Sequence, residues 1–317
     1  MVTDMQQIQF LDCTLRDGGY VNNWQFNMDT ALEVVSNLYN AGIRCIELGL
    51  MGQGGKLLKS TKFSDFSQIE PLLEDRKTDC NYAVMVTQAE YDVSRLEIPE
   101  RSERTPDLIR LDYFQPESDR AMKTAKLLKK KGYIVFLQAM ATFLYSQEEL
   151  DKHIQAVNEV SPHSFYMVDS FSTMFREDVI RMEKLVLKRL DRDIMFGFHA
   201  HNNIQMAYSN AVTFMTHGDG RMLFVDGSIY GMGRGAGNCA MELLLGFLKN
   251  PKYNIYPVFQ FIQDYISALK EKGVVWGYDM QYLMTGLMNQ HPRTAIQFTK
   301  EGRKDFAEFY KEITAQE

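Results

Sequence analysis

The chain has 317 residues, of which 24% are charged, and its formal net charge is −6 at neutral pH. A chain of this length can bury a large core as one large domain or two ordinary ones. The negative charge offers no basic surface for nucleic acid or for an anionic membrane. The apolar runs are too short to span a membrane, and the N-terminus lacks a signal-peptide pattern, so we expect a cytoplasmic protein.

Eight short apolar segments recur along the chain, and each reads as a β-strand because it is a brief apolar run between turn or helical residues. They are residues 8–13, 45–50, 82–86, 108–112, 134–139, 164–169, 193–201 and 222–226. Helical patterns lie between most of them, at 119–131, 147–160, 176–190, 204–216 and 240–248, with one ending at Gly42 and weaker ones at 66–73 and 88–96. This alternation predicts a (β/α)8 TIM barrel for residues 1–250, with a doubly wound open sheet as the alternative.

Residues 251–317 have a different character. Helical patterns at 257–271, 277–288 and 305–313 follow one another without an intervening strand. No linker before them is flexible enough to separate them from the barrel. We therefore predict a helical C-terminal extension that packs on the barrel.

The four cysteines, Cys13, Cys45, Cys80 and Cys239, are scattered and form no C-x-x-C pair. Zinc ribbons and disulfide frameworks both require characteristic cysteine spacing. We expect buried free thiols.

His199 and His201 stand one residue apart in a predicted strand. Alternate side chains of a strand point to the same side, so both imidazoles can converge on one ion. Asp17 follows the first predicted strand and adds a carboxylate, because the strand ends of a barrel meet at one face. The mixed oxygen and nitrogen set suits Mn²⁺ or Mg²⁺, with Zn²⁺ or Fe²⁺ as alternatives. Two hydrogen-bonded structural histidines would be the non-functional interpretation.

Further polar residues fall at predicted strand ends, and we expect them at the same face of the barrel: Arg16, Glu47, Asp112, Gln138, Asp169, Ser170, Asp226 and Asn238. Arg16 carries planar donors suited to an oxyanion or a carboxylate, although Arg16 and Asp17 alone would also suit a surface turn. We predict that Gln138, Ser170 and Asn238 bind substrate.

Three motifs occur in order along the chain: residues 11–19 (LDCTLRDGG), residues 198–203 (FHAHNN) and residues 226–238 (DGSIYGMGRGAGN). They resemble the catalytic barrel of the HMG-CoA lyase-like superfamily of aldolases and lyases, to which pyruvate carboxylase is related. The glycine-rich third motif, followed by a helical extension, is most similar to that of the 4-hydroxy-2-oxovalerate aldolases.

The resemblance implies a role for each matching residue. Asp17, His199 and His201 become ligands of a divalent metal, and Arg16 becomes the group that stabilises an enolate. Glu47 matches an acid on the second strand of the lyases, and Asn238 matches an asparagine at or near their metal.

The activity implied is metal-dependent cleavage or formation of a carbon–carbon bond next to a 2-oxo acid, through a pyruvate-like enolate. A Claisen-type acyl-CoA lyase or synthase on the same barrel is one alternative, and a non-catalytic barrel that binds a partner protein is another. By analogy with the aldolases, the chain could form a homodimer or bind an aldehyde dehydrogenase.

Tyr20 departs from the aldolase pattern, which has a histidine at this position. A phenol with a pKa near 10 is a poor base at neutral pH, but it can donate a proton to an enolate. We predict a catalytic role for Tyr20, with a stacking surface as the alternative. Three residues of the extension could reach over the barrel mouth, namely Tyr278, Tyr282 and His291. The remaining histidines are expected on the surface: His153, His163 and His217.

Overall fold

The structure, a computed structural model, describes residues 7–52, 60–88 and 98–315. Its strands are β1 (Ile8–Asp12), β2 (Cys45–Met51), β3 (Lys62–Phe63), β4 (Asn81–Thr87), β5 (Leu108–Tyr113), β6 (Ile134–Ala139), β7 (Ser164–Asp169), β8 (Met195–Ala200) and β9 (Leu223–Gly227). All of them except the two-residue β3 were expected, because each is an apolar run short enough for a buried parallel strand.

The strands form a parallel barrel in the order β1-β9-β8-β7-β6-β5-β4-β2, with β3 added beside the end of β2. The barrel closes where β1 pairs with β2, with Asp12 opposite Ile46. This pairing confirms the predicted (β/α)8 barrel and shows that the open doubly wound sheet is wrong, since an open sheet leaves both edge strands unpaired.

The helices follow the strands around the barrel. They are α1 (Thr14–Asp17), α2 (Gly19–Asn22), α3 (Met28–Asn40), α4 (Ser118–Lys130), α5 (Gln147–Val160), α6 (Arg176–Leu187), α7 (Ala207–His217), α8 (Met241–Leu248), α9 (Tyr256–Phe261), α10 (Ser267–Glu271), α11 (Met280–Leu287), α12 (Arg293–Lys300) and α13 (Phe306–Thr314). The weak pattern at 66–73 is a 3-10 helix, Phe66–Leu73. Of the other weak pattern, at 88–96, only Gln88 is among the described residues.

The barrel interior changes from apolar to polar along the strands. A buried cluster separate from the main core includes Leu11, Cys45, Leu108, Phe136 and Phe224. Because alternate residues of a strand face the same way, the residue two positions further along each strand also points inward, nearer the C-terminal end. For all five of these residues, the residue two positions further on is polar or a thiol and is buried: Cys13, Glu47, Arg110, Gln138 and Asp226. The apolar layer thus forms the floor of a polar site.

The C-terminal residues pack in two ways. Val258, Phe261, Ile266 and Trp276 belong to the main core of the barrel. Helices α11, α12 and α13 instead enclose a small cluster of their own, formed by Ala295, Phe298, Phe309 and Ile313. The boundary at residue 250 stays a prediction. Within the described ranges, every helix is too short or too polar to cross a bilayer.

Candidate active site

The turn after β1 brings Arg16 and Asp17 over the barrel. Asp12, the last residue of β1, accepts hydrogen bonds from the backbone nitrogen of Thr14 at 2.8 Å and from its hydroxyl at 3.0 Å. A carboxylate at this position satisfies donors at the start of a helix, so the chain turns at once into the single-turn helix α1. Arg16 and Asp17 are both buried there.

The two histidines come from the end of β8. His199 lies in the strand, and His201 follows it and forms an isolated bridge with Asn238. The extended backbone puts both rings on the same side, with their centroids 5.0 Å apart. The structure therefore brings the predicted pair together at the C-terminal face of the barrel.

Asp17 is the residue that joins the two ends of the barrel sequence. Its Oδ2 atom lies 3.4 Å from Nε2 of His199 and accepts a hydrogen bond from Nδ2 of Asn238 at 2.7 Å. Its Oδ1 atom lies 3.0 Å from Nη1 of Arg16. Burial raises the pKa of Asp17, but Arg16 and the two histidines lower it by more, so the pKa lies well below its usual value. Asp17 is consequently ionised at neutral pH.

The two imidazoles differ in their surroundings. Burial lowers the pKa of His201 to about 3, so this ring is neutral and able to act as a ligand. Burial also lowers the pKa of His199, but hydrogen bonds to Asp17 and Asp226 raise it by more. Asp226 accepts a hydrogen bond from Nδ1 of His199 at 2.8 Å, which turns Nε2 towards Asp17. Metal-binding histidines are commonly held by a carboxylate in this way.

The donors present suit a metal ion. Cys13, Asp17 and His199 each offer an atom within 4.8 Å of the others and could hold one. Among the described residues, Oδ1 of Asn238 is buried and has no hydrogen-bond partner, so it is a further oxygen donor. Burial raises the pKa of the Cys13 thiol well above its usual value, which makes it a weaker ligand than the carboxylate. The assignment of Asp17, His199 and His201 as the ligands stays a prediction.

A row of alternating charges runs beneath the site. Nε of Arg16 donates to Glu47 at 2.8 Å, and Nη1 of Arg110 donates to the same Glu47 oxygen at 2.9 Å. Nη2 of Arg110 donates to Asp226, which also accepts the hydrogen bond from His199. We call Arg16, Glu47, Arg110, Asp226 and His199 the buried charge row. It connects the predicted enolate stabiliser to a predicted metal ligand.

Replacing Arg110 with Met should destabilise the fold. Arg110 is fully buried between Glu47 and Asp226, so its loss leaves two buried carboxylates short of a cation. Removing one partner of such a pair typically costs about 3–5 kcal/mol. Urea unfolding followed by circular dichroism measures the change. The control is Arg303→Met, which breaks an ion pair with Glu312 that is exposed to solvent and should therefore destabilise the fold much less. Equal losses in the two variants would contradict this account of the buried charge row.

A small cavity of about 40 Å³ opens above these residues. Its lining consists of Arg16, Asp17, Tyr20, Met85, Asp112, Gln138, Met140, Val168, His199, His201 and Arg234. Tyr20 lies at its mouth and is 41% exposed. The Nε2 atom of Gln138 is buried without a hydrogen-bond partner in the part of the chain described, which leaves it available to a ligand. Seven of the residues predicted at this face therefore line one cavity: Arg16, Asp17, Tyr20, Asp112, Gln138, His199 and His201.

Other predicted site residues lie beside the cavity rather than on its wall. Glu47 lies below Arg16 in the buried charge row. The Ser170 hydroxyl accepts a hydrogen bond from the backbone nitrogen of Ala141 at 2.8 Å, and Ser170 is not among the lining residues, so its role in substrate binding stays a prediction. Asp169 accepts from the backbone nitrogens of Thr173 and Met174, and it orders the loop before α6.

The expectation of a surface position is wrong for His153. Its ring is buried, and Nε2 lies 2.9 Å from the hydroxyl of Tyr113. His153 lies on the face of α5 that packs against the barrel, and Tyr113 offers the partner that a buried imidazole needs. The other two are exposed, as expected: His163 and His217. The three residues of the extension expected near the mouth do not line the cavity: Tyr278, Tyr282 and His291.

Comparison with known proteins places this site in a family. The HMGL-like family model matches residues 7–262, which include every residue of the cavity lining. The chain belongs to the HMGL-like family. The HMG-CoA lyase-like membership predicted from the three motifs is thereby confirmed.

Relatives of this HMGL-like chain are named as lyases. It is 28% identical over 246 residues to an oxaloacetate decarboxylase of Mycobacterium tuberculosis, covering 75% of this chain and 69% of the relative. It is 28% identical over 265 residues to a 4-hydroxy-2-oxovalerate aldolase of Thermomicrobium roseum, covering 81% of this chain and 72% of the relative. A solved structure, the N-terminal domain of a candidate aldolase from Bacteroides vulgatus, matches with a TM-score of 0.79 and 28% identity over 92% of this chain and 96% of that one. The predicted enzyme class, a lyase, is confirmed.

Three features of this HMGL-like site were missed. Arg110 was assigned only to a strand, although a lone arginine within an apolar run signals a buried charge that requires carboxylate partners. Cys13 was expected as a core thiol, and it is buried and free but lies beside Asp17. Arg234 was noted only as part of a glycine-rich motif.

Proposed function

We propose that the chain is a divalent-metal-dependent lyase that cleaves the C3–C4 bond of a 2-oxo acid and leaves a pyruvate-type enolate. The observation that carries this proposal is the guanidinium of Arg16. It is fixed by Glu47 and Asp17 on the wall of a small cavity, next to a cluster of carboxylate and imidazole ligands. A preorganised cation at this position stabilises negative charge that develops on a substrate oxygen.

The metal would be held by Asp17, His199 and His201, with Asn238 beside them. When bound, a divalent ion supplies a Lewis acid that polarises the 2-oxo group. We propose Mn²⁺ or Mg²⁺, because the donors are carboxylate oxygen, imidazole nitrogen and amide oxygen, with Zn²⁺ as the alternative.

The protein groups complete the reaction. As the C3–C4 bond breaks, its electron pair moves into the C2–C3 bond and charge collects on the C2 oxygen. Arg16 would donate hydrogen bonds to that oxygen, and the amide nitrogen of Gln138, which is buried without a partner among the described residues, would bind the substrate carboxylate. Carbon C3 then requires a proton to give the 2-oxo acid product.

Tyr20 is suited to give that proton. Burial around its hydroxyl raises its pKa above the usual value of a phenol, and Arg234 and Arg16 lower it by less. The hydroxyl is therefore protonated at neutral pH and acts as a proton donor rather than a base. An aldol cleavage also requires a base to take the proton of the 4-hydroxyl group.

The role of Tyr20 as a proton donor rather than a base favours a second candidate reaction, the β-decarboxylation of a 2-oxo dicarboxylic acid. In that reaction C4 leaves as CO₂, so no hydroxyl has to lose a proton, and a single proton donor for C3 is sufficient. The Mycobacterium tuberculosis relative carries the name of such a decarboxylase. An aldehyde dehydrogenase partner would be useful to an aldolase but not to a decarboxylase, and that partner and a homodimer stay predictions.

Pyruvate release tests the proposal. The purified protein with Mn²⁺ is incubated with 4-hydroxy-2-oxovalerate or with oxaloacetate, and pyruvate is measured against Mn²⁺ alone and against protein treated with a chelator. We expect metal-dependent release from at least one substrate. If the protein releases pyruvate from neither substrate faster than Mn²⁺ alone does, the lyase proposal is overturned.

Replacing Tyr20 with Phe should slow turnover. The ring and its contacts remain, but the proton donor is lost, and general acid catalysis typically contributes about 10²- to 10⁴-fold. We expect kcat to fall within that range while metal stoichiometry is retained. Tyr278→Phe is the matched control, because Tyr278 is exposed and lies outside the cavity lining. If Tyr20→Phe and the control turn over equally fast, Tyr20 is only a stacking surface.

A further inference from the structure

We infer that Arg234 binds a second carboxylate of the substrate, so that this site takes 2-oxo dicarboxylic acids. The inference rests on the proposed lyase function and adds its substrate class. It concerns a residue of the cavity lining that the proposed function does not use as an enolate stabiliser or as a metal ligand.

The backbone around Arg234 directs its side chain to the cavity. Gly235 has φ +68°, a left-handed conformation that favours glycine. A Cβ atom at Gly233 would lie 2.8 Å from the Asn238 side chain, so glycine there lets the loop lie close against Asn238. The two glycines hold the loop against the site, and Arg234 between them lines the cavity.

Among the residues that the structure describes, Arg234 has no anionic partner. Its guanidinium carbon lies 5.5 Å from the centroid of the Tyr20 ring. Within residues 7–52, 60–88 and 98–315, its side chain makes no ion pair and no hydrogen bond, whereas Arg16 and Arg110 each contact two carboxylates. A half-buried cation is costly unless an anion pairs with it, and a guanidinium matches the planar geometry of a carboxylate.

The position of Arg234 indicates which carboxylate it binds. Arg16 lies in the cavity beside Asp17, where the 2-oxo end of a substrate would be held in the proposed reaction. Arg234 lines the same cavity and lies over the ring of Tyr20, a residue that is 41% exposed. Because Arg16 already lies beside the proposed position of the 2-oxo end, we assign to Arg234 the half of the substrate that departs, and a carboxylate on that half would pair with its guanidinium.

This placement predicts a characteristic division between binding and turnover. A carboxylate that leaves as CO₂ loses its charge as the bond breaks, so its pairing with Arg234 is strongest before reaction. An interaction of this kind lowers KM but does not raise kcat. Arg16, by contrast, acts on charge that increases during reaction.

The test compares Arg234→Gln with the wild type on oxaloacetate and on 4-hydroxy-2-oxovalerate, with Mn²⁺ present. We expect KM for the dicarboxylic substrate to rise about 10- to 100-fold, the usual value of hydrogen bonds to a charged group, and KM for the monocarboxylic one to rise far less. Arg234→Lys keeps the charge but not the planar guanidinium, so its KM for oxaloacetate should lie between the values for the wild type and for Arg234→Gln. Arg293→Gln removes the same charge from an exposed residue outside the cavity lining and should shift neither KM.

Binding of unreactive ligands separates this inference from the lyase proposal. L-malate and L-lactate are matched 2-hydroxy acids that differ by one carboxylate, and calorimetry with Mn²⁺ measures each. We expect Arg234→Gln to weaken the binding of L-malate at least about tenfold more than it weakens the binding of L-lactate. An equal effect on both ligands, or a fall in kcat for both substrates without a rise in KM, would overturn the role of Arg234. Absence of turnover by the wild type would overturn the lyase proposal alone.

Discussion

Replacing Asp17 with Asn abolishes metal binding and turnover together. The side chain keeps its shape, and its amide oxygen can still accept from Arg16, but the second acceptor oxygen and the negative charge beside His199 are lost. Changing a residue that only supports a ligand typically costs about 10–100-fold in metal affinity, so loss of an ionised ligand should cost more. Metal content after dialysis against MnCl₂, measured by plasma mass spectrometry, and pyruvate release are the two measurements.

The control for this experiment is Asp264→Asn, a change of the same chemistry at an exposed position outside the site. It should retain both metal and activity. His199→Ala should reproduce the loss from the other side of the cluster. If Asp17→Asn or His199→Ala bound metal with the stoichiometry of the wild type, the ligand assignment would be refuted even if activity were lost.

Replacing Arg16 with Gln lowers kcat by about 10²- to 10³-fold, the usual effect of removing one donor to a developing oxyanion. The metal should remain, because Arg16 contacts Asp17 only through Oδ1 and the histidines are unchanged. Kinetics with saturating Mn²⁺ and a metal determination on the same sample separate the two effects. Arg176→Gln, at an exposed position, is the control.

Arg16→Gln also removes a partner of Glu47, so its stability must be measured as well. Arg110 continues to donate to Glu47 in this variant, and the fold should tolerate the change better than it tolerates loss of Arg110. Arg16→Lys restores the charge and should recover part of the rate. A variant that is fully folded, binds metal and turns over like the wild type would show that Arg16 has no part in stabilising the enolate.

The strands were predictable because each is a short apolar run, and their order in the barrel follows from right-handed crossovers. Closure of the barrel was not predictable in the same way, because β1 has to pair with both β2 and β9, and an alternation of strands and helices is also typical of open sheets. Asp17, His199 and His201 were found by residue type and position at strand ends.

The contacts below the site were not predictable from those positions. Arg110 pairs with Glu47 and Asp226, which lie 63 and 116 residues away in the sequence. No local pattern specifies such pairs. The hydrogen bond between Ser170 and Ala141 shows a related limit, because the side-chain direction of a residue just beyond a strand depends on the turn that follows. His153 was misplaced for a third reason, since a polar residue on the inward face of a helix depends on a distant partner, Tyr113.

The buried charge row has a consequence for protein engineering. Glu47 holds both Arg16 and Arg110, and Arg110 in turn holds the carboxylate that orients His199. A substitution at Glu47 or Asp226 intended to retune the metal preference would also displace the guanidinium that acts on the substrate. Variant libraries aimed at a new metal should therefore leave these two acids fixed and vary Cys13, which adjoins Asp17 and His199 but lies outside the row.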